Sequence, residues 1–265
     1  MICNFSNVAF SVFGFPIHWY SLAYIFGIIF ALLLTKKIAI IVGYDFPKDV
    51  WDDFLNYAIF GIVLGGRIGH VLFYDFSYYI EFPSEIIKIW KGGMSFFGGF
   101  LGVICATYFF CRRKKIDFLR FIDLWSVSVP IGLFFGRLAN FINGELLGKP
   151  STITWNVIFK DGIPRHPSQI YEAILEGVIL FCLMIISLQA GAYKFRGRLS
   201  GIFCMGYGVA RFTAEFFREP DSPFSFELLM YSGINLNQYM SVLLFGLGVF
   251  LMIKSQDRST LISNS

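Results

Sequence analysis

The chain has 265 residues, 56% of them hydrophobic and 15% charged, with a mean hydropathy of +0.64. That balance excludes an ordinary soluble domain and describes an integral membrane protein. A dispersed net charge of +4 gives no nucleic-acid footprint, and five cysteines without CxxC spacing indicate neither a disulfide framework nor a zinc site.

A membrane-spanning helix needs about 20 mainly apolar residues. Seven windows come close: 19–35, 54–73, 93–111, 121–144, 170–189, 199–217 and 237–253. They predict an all-α integral membrane protein with seven transmembrane helices, built as a single transmembrane domain over residues 1–265. The N-terminal stretch lacks the basic region and small-residue cleavage site of a signal peptide, so the first span is expected to be retained.

In the first window, HWYSLAYIFG puts Tyr20, Tyr24 and Gly27 on one helical stripe, with Trp19 and Tyr20 placed as interfacial belt aromatics. The second window carries GGRIGHVLFY, in which Arg67, His70 and Tyr74 share a stripe. His70 has no second His or Cys at metal spacing, so a packing role is expected for it. Residues 75–91 mix aromatics with charges in the manner of a segment lying along the bilayer interface.

The fourth window ends in GRLANFINGELLG. If it stays helical to its end, Arg137, Asn140, Gly144 and Gly148 share one face, with Asn143 and Glu145 close by. An arginine at mid-bilayer costs about 2.5–3.5 kcal/mol on insertion scales, which makes intramembrane charge a sign of function. Residues 149–168 then form a small extracytoplasmic cap and loop. The segment PRHPSQIYE leads into the fifth window, with Ser168 placed as an N-cap and His166 flanked by prolines. In the sixth, GYGVARFTAEFFREPD sets Tyr207, Arg211, Glu215 and Arg218 on one face, so that Arg211 can pair with Glu215. Such a pair can also be purely architectural.

Of the 22 Lys and Arg, Arg67, Arg137 and Arg211 fall inside windows. With the N-terminus outside, thirteen of the rest lie on the inner side, including Arg112, Arg113, Lys114 and Lys115, and six on the outer side. The positive-inside rule then gives N-out and C-in. Three interior arginines with glycines and hydroxyl donors suit a phosphate held by charge-assisted hydrogen bonds. In a bilayer the abundant phosphate is a phospholipid head group.

These blocks resemble a known family. GRLANFINGELLG resembles the signature of bacterial prolipoprotein diacylglyceryl transferases, and HWYSLAY, GGRIGHVLFY, GGMSFFGG, PRHPSQIYE and GYGVARFTAEFFREPD resemble its other blocks in the same order, over roughly residues 18–221. The resemblance implies a multi-pass enzyme of the bacterial inner membrane that moves the sn-1,2-diacylglyceryl group of phosphatidylglycerol to the thiol of the lipobox cysteine in a prolipoprotein signal peptide. It implies Arg137, Arg211 and Glu145 as catalytic residues. The expected lipid site joins Arg137 with Asn140, Gly148, Tyr20, Tyr207, Glu215 and Arg67. No metal or other cofactor is expected. This chain has Phe97 where the family block usually has His, and a short outer cap. The alternatives from other classes are a membrane transporter of a phospholipid or organic anion and a structural membrane scaffold.

Overall fold

The computed structural model describes residues 5–44, 46–73, 76–220 and 230–257; Tyr74 lies outside these, and for Phe97 only the backbone is described. The molecule is mostly helical, and a long helix lies over each apolar window: α1 (Trp19–Ile41), α2 (Lys48–Phe73), α3 (Phe96–Lys114), α4 (Phe118–Asn143), α5 (Ser168–Gln189), α6 (Arg198–Ala214) and α7 (Leu236–Lys254). Five of them, α1, α2, α4, α5 and α7, are long and apolar enough to cross a membrane. The other two do not meet that standard: α3 ends on Arg112, Arg113 and Lys114, and α6 has 17 residues, about 26 Å at 1.5 Å per residue. Short two-stranded ribbons accompany the helices, among them Val8–Val12 with Phe15–His18 and Val157–Ile158 with Pro164–Arg165.

Backbone contacts divide the chain into two units, Met1–Val42 with Ile122–Ser265, and Gly43–Phe121. In the Gly43–Phe121 unit, α2 and α3 run antiparallel with almost no side chain between them. Gly69 meets Gly98, and Gly61 meets Gly102, so closely that a Cβ on Gly69 would stand 2.6 Å from the Gly98 Cα and one on Gly61 2.7 Å from the Gly102 carbonyl. Small residues let membrane helices approach and gain dispersion contacts that lipid cannot replace. At one end, Trp51, Phe54, Phe110 and Phe121 pack ring against ring, and Lys114 binds Asp49 and Asp53. At the other, residues 76–91 fold into a six-residue helix and two 3-10 turns that expose Ile80, Ile87 and Trp90.

In the other unit, the partners differ. Thr35 of α1 donates to Ser128 of α4 at 2.7 Å, both fully buried. Buried Asp123 of α4 caps α6, accepting from the Gly197 and Ser200 amides at 2.7 Å each. This places an acid at the positive end of that helix, where it satisfies donors the helix itself leaves open. The α7 N-terminus is closed by a capping box between Asn235 and Gln238.

Two sequence expectations change. The α4 helix stops at Asn143: Gly144 turns to φ +67° and Leu146 to φ +57°, so Gly144 and Gly148 do not continue the face of Arg137. Ser168 is not an N-cap but the first residue of α5, and its hydroxyl donates to the Leu146 carbonyl at 3.3 Å.

Candidate active site

Arg137, placed by α4, and Arg211, placed by α6, meet on α5. Glu172 and Glu176 stand there with side chains wholly removed from solvent. Arg137 reaches Glu176 Oε2 through Nε at 3.0 Å and Nη2 at 2.9 Å, and Glu172 Oε2 through Nη1 at 3.1 Å. Arg211 Nη1 lies 2.6 Å from Glu172 Oε1 and 3.4 Å from Glu176 Oε1, while Nη2 binds Glu215 at 2.6 Å. Arg218 adds a third guanidinium, 3.2 Å from Glu172. Glu215 in turn accepts from Asn235 and Asn237 at 3.0 and 2.9 Å. Among the described residues, three arginines thus face three carboxylates, and pairing of this kind is the condition under which charge can be buried at all.

Local structure explains the convergence. Residues Ala173–Ile179 of α5 form a π-helical stretch, where hydrogen bonds close five residues on and the turn widens, a feature common at functional sites. Glu172 and Glu176 flank its first turn and present both carboxylates to the arginines. Gly177 lets α5 approach α4, since a Cβ there would stand 2.7 Å from that of Phe134. Tyr207, one turn before Arg211 on α6, lies in the electrostatic field of Glu176 and both helix arginines.

Just beyond α4 the chain forms a second polar cluster. Glu145 is exposed, and its carboxylate accepts from Asn140 at 3.2 Å and Asn143 at 3.3 Å. The Glu145 carbonyl accepts from Gln169 of α5 at 2.6 Å. Tyr20 and Tyr24 share a 3.4 Å hydroxyl contact, and Tyr24 lies within the field of Arg137 and Glu145.

The cap is laced to this floor. Residues 147–149 pair with 217–219 through Lys149 N to Phe217 O and Glu219 N to Leu147 O, at 2.9 and 3.1 Å, and with His166 through the Lys149 carbonyl at 3.0 Å. Gly148 sits at that crossing, where a Cβ would collide with the His166 backbone. Arg165 closes the cap on Asp161, Glu219 and the Gly148 carbonyl at 2.6, 2.5 and 2.9 Å. Burial works to raise the pKa of Asp161, but the Ile163 amide and Arg165 outweigh it and hold the carboxyl below its usual range.

The structure therefore gathers Arg137, Arg211, Glu215 and Tyr207 into one cluster and Asn140 with Glu145 into an adjoining one, with Tyr20 next to Tyr24 and Gly148 under the cap. Arg67 belongs to the Gly43–Phe121 unit. Its guanidinium donates to the carbonyls of Glu85, Ile86, Lys88, Gly92 and Gly93 at 2.6–3.4 Å and stacks on Tyr79, which organises the 85–93 loop. Glu145 does not orient Arg137 in this arrangement; Glu172 and Glu176 do. His166 Nδ1 faces the Tyr171 hydroxyl at 3.4 Å, and the Ser168 hydroxyl donates to the Leu146 carbonyl. Sequence reasoning missed Glu172 and Glu176. The signal was present: two acids four apart in an otherwise apolar window, the spacing that puts both on one helix face.

Comparison with known proteins gives the same direction. The family pattern described as prolipoprotein diacylglyceryl transferase matches residues 7–254. The phosphatidylglycerol--prolipoprotein diacylglyceryl transferase of Nitratidesulfovibrio vulgaris (strain DSM 19637 / Miyazaki F) is 43% identical over 251 residues, covering 94% of this chain and 93% of that protein. Proteins of the same name from Azospirillum brasilense and Rickettsia bellii (strain OSU 85-389) are 44% and 43% identical, covering 95% and 97% of this chain and 94% and 97% of their own lengths. A family match that runs through α1 to α7, with relatives 43–44% identical over nearly the whole chain, leaves one assignment: this chain belongs to the prolipoprotein diacylglyceryl transferase family.

Proposed function

We propose that the protein transfers the sn-1,2-diacylglyceryl group of phosphatidylglycerol to the thiol of a lipobox cysteine, and that the Arg137–Arg211 cage is where the phosphate leaves. The transferase activity follows the relatives that match nearly the whole chain. The observation that carries the site assignment is the way buried carboxylates hold both guanidiniums. Each arginine has five N–H donors. The Nε of Arg137 donates to Glu176, and its Nη1 and Nη2 lie 3.1 and 2.9 Å from Glu172 and Glu176, which fixes the guanidinium with N–H donors to spare on a side chain that keeps 15% of its exposure. Such donors need no reorganisation when charge develops.

In the reaction a carbon–sulfur bond forms at the glycerol carbon as the carbon–oxygen bond to phosphate breaks, and the electron pair leaves with the phosphate oxygen as glycerol phosphate. The leaving phosphate passes from about one negative charge toward two, so arginine contacts strengthen in the transition state, which is the condition for raising rate. The arginine field favours the thiolate, and Glu145, exposed and held by two amides, takes the thiol proton. Asn140 positions Glu145, Tyr207 lines the cage, and Glu215 fixes Arg211. Tyr20 and Gly148 belong to the lipid site as the ring beside Tyr24 and the close-packed crossing under the cap, and Arg67 serves lipid at its own unit through the loop it orders.

The remaining assignments have their own support. All seven helices span the membrane in an N-out, C-in arrangement, favoured by the basic residues at 112–115, and α3 and α6 are within about 5 Å of the roughly 30 Å hydrocarbon core. A single catalytic domain is favoured by a family match spanning both structural units, and the inner membrane by the lipid substrate. Incubation of the purified protein with phosphatidylglycerol labelled in its acyl chains and a lipobox peptide tests the reading. Label on the peptide is expected; label that only crosses the bilayer would identify a transporter.

A further inference from the structure

The cluster beyond α4 contains an imbalance that the transfer chemistry does not use. Gln169 is fully buried. Its Nε2 donates to the Glu145 carbonyl at 2.6 Å, which fixes the amide orientation, because a carbonyl can only accept. Its Oε1 then has no donor among the described residues. Asn143 repeats the arrangement: Nδ2 donates to the Glu145 carboxylate at 3.3 Å, and the buried Oδ1 has no donor among the described residues. Two amide oxygens beside the Glu145 turn thus have no hydrogen-bond donor among the described residues. A buried acceptor left without a donor destabilises the fold that holds it, and the turn that holds these two is itself strained at Leu146, φ +57°.

The guanidiniums of the cage supply donors for an anion, whereas the Gln169 and Asn143 oxygens ask for O–H or N–H groups. A group that engages both carries an anion and hydrogen-bond donors in one molecule. A phosphate ester of a polyol has that pattern, with one phosphate for the guanidiniums and free hydroxyls for the acceptors. We propose that Gln169, with Asn143, forms an acceptor subsite for the hydroxyl groups of the polyol head of the donor phospholipid, and that Gln169 determines selectivity for a hydroxyl-bearing head. The inference rests on the Arg137–Arg211 cage being the phosphate site. A second source of donors is the incoming peptide, whose backbone N–H groups share the chemistry.

The test varies lipid and protein together. Phosphatidylglycerol and phosphatidylpropanol have the same charge and nearly the same size, but the second lacks the hydroxyls. Wild-type enzyme is expected to prefer phosphatidylglycerol in kcat/KM by about tenfold or more. Gln169→Leu is expected to bring that ratio close to one while the KM for the lipobox peptide stays within about twofold. Equal use of the two lipids by wild type would overturn the proposal without recourse to any variant, so a misfolded Gln169→Leu cannot shelter it. An unchanged lipid ratio in Gln169→Leu would show that water satisfies the amide, and a raised peptide KM with that ratio intact would assign the acceptors to the peptide; either result overturns it. Failure of the underlying reading looks different, because wild type would then transfer no diacylglyceryl group from phosphatidylglycerol at all.

Discussion

The two structural units solve the same problem, holding helices together where lipid is as apolar as any side chain, in opposite ways. In Gly43–Phe121, α2 and α3 meet through the backbones of Gly61, Gly69, Gly98 and Gly102. Where α4, α5 and α6 converge in the other unit, six charged side chains bind one another. The glycine seam is built of backbone, so its closest contacts present no side-chain group to a substrate. The charged cage is a costlier way to pack helices, since both partners must lose their water, and it leaves fixed N–H donors at the end. Stability and chemistry are separable in the first unit and joined in the second.

The sharpest way to break that contrast is Arg137→Lys. If the cage served packing alone, a lysine keeping the charge near Glu172 and Glu176 would be tolerated. The expected outcome is a loss of about a hundredfold in kcat/KM, equivalent to about 3 kcal/mol of transition-state stabilisation, because an ammonium cannot hold two carboxylates and still present fixed donors. Membrane insertion and the amount of monodisperse protein should stay near wild type. Turnover near the wild-type level would reduce the arginine to a point charge.

Glu172→Gln tests the other half of the cage. Glu172 binds Arg137, Arg211 and Arg218, and removing one partner of a buried pair typically costs about 3–5 kcal/mol. Both the thermal midpoint in detergent and the transfer rate should fall. Glu145→Gln should separate the two, lowering transfer with little change in midpoint, since Glu145 is exposed and bound only by amides among the described residues. Parallel losses in midpoint for the two variants would show that the clusters are one structural network.

The difference between the units was only partly visible in the sequence. Arg137, Arg211 and the Arg211–Glu215 pair stand out because charge in an apolar window is conspicuous and an i,i+4 spacing fixes the geometry. Glu172 and Glu176 stand in a window just as apolar, but they meet Arg137 and Arg211 only through the packing of three helices, and the π stretch that aims them has no local signature in AILEGVI. Arg67 looked equivalent to the other two arginines. Its partners are backbone carbonyls of residues 85–93, and a carbonyl acceptor carries no residue identity to read. The window 121–144 ended within a residue of the helix, but the face extended to Gly148 failed for a similar reason: FINGELLG keeps an apolar pattern past the point where Gly144 turns the chain.

Gly69→Ala probes the seam directly. The new methyl would stand 2.6 Å from the Gly98 Cα, so α2 and α3 must separate by roughly an ångström along their contact to restore an ordinary carbon–carbon distance. The expected cost is about 1–3 kcal/mol, the usual range for overpacking, read as a lower thermal midpoint. Activity per folded molecule should change far less than in Arg137→Lys. A selective loss of turnover without loss of midpoint would place a functional contact on the seam.

The smallest effect concerns the cap, where buried Arg165 pairs with an exposed Asp161 and not with a buried carboxylate as in the cage. Asp161 binds Arg165 at 2.6 Å and caps the Ile163 amide at 3.2 Å, and these bonds hold its carboxyl below the usual range against the opposing pull of burial. Because the folded pKa is the lower one, the bonds contribute stability that is fully present above the unfolded value near 3.9 and fades as pH falls through the folded value. Asp161 is exposed, so the contribution is that of a surface pair, about 0.2–1 kcal/mol. Protease nicking between residues 150 and 163 should therefore be slow and flat with pH from neutrality down to about pH 5, then accelerate. Asp161→Asn should raise the plateau a fewfold and flatten the acid limb, while transfer at neutral pH falls less than twofold. A variant that nicks at the wild-type rate across that range would show that the Glu219 arm of Arg165 holds the cap alone.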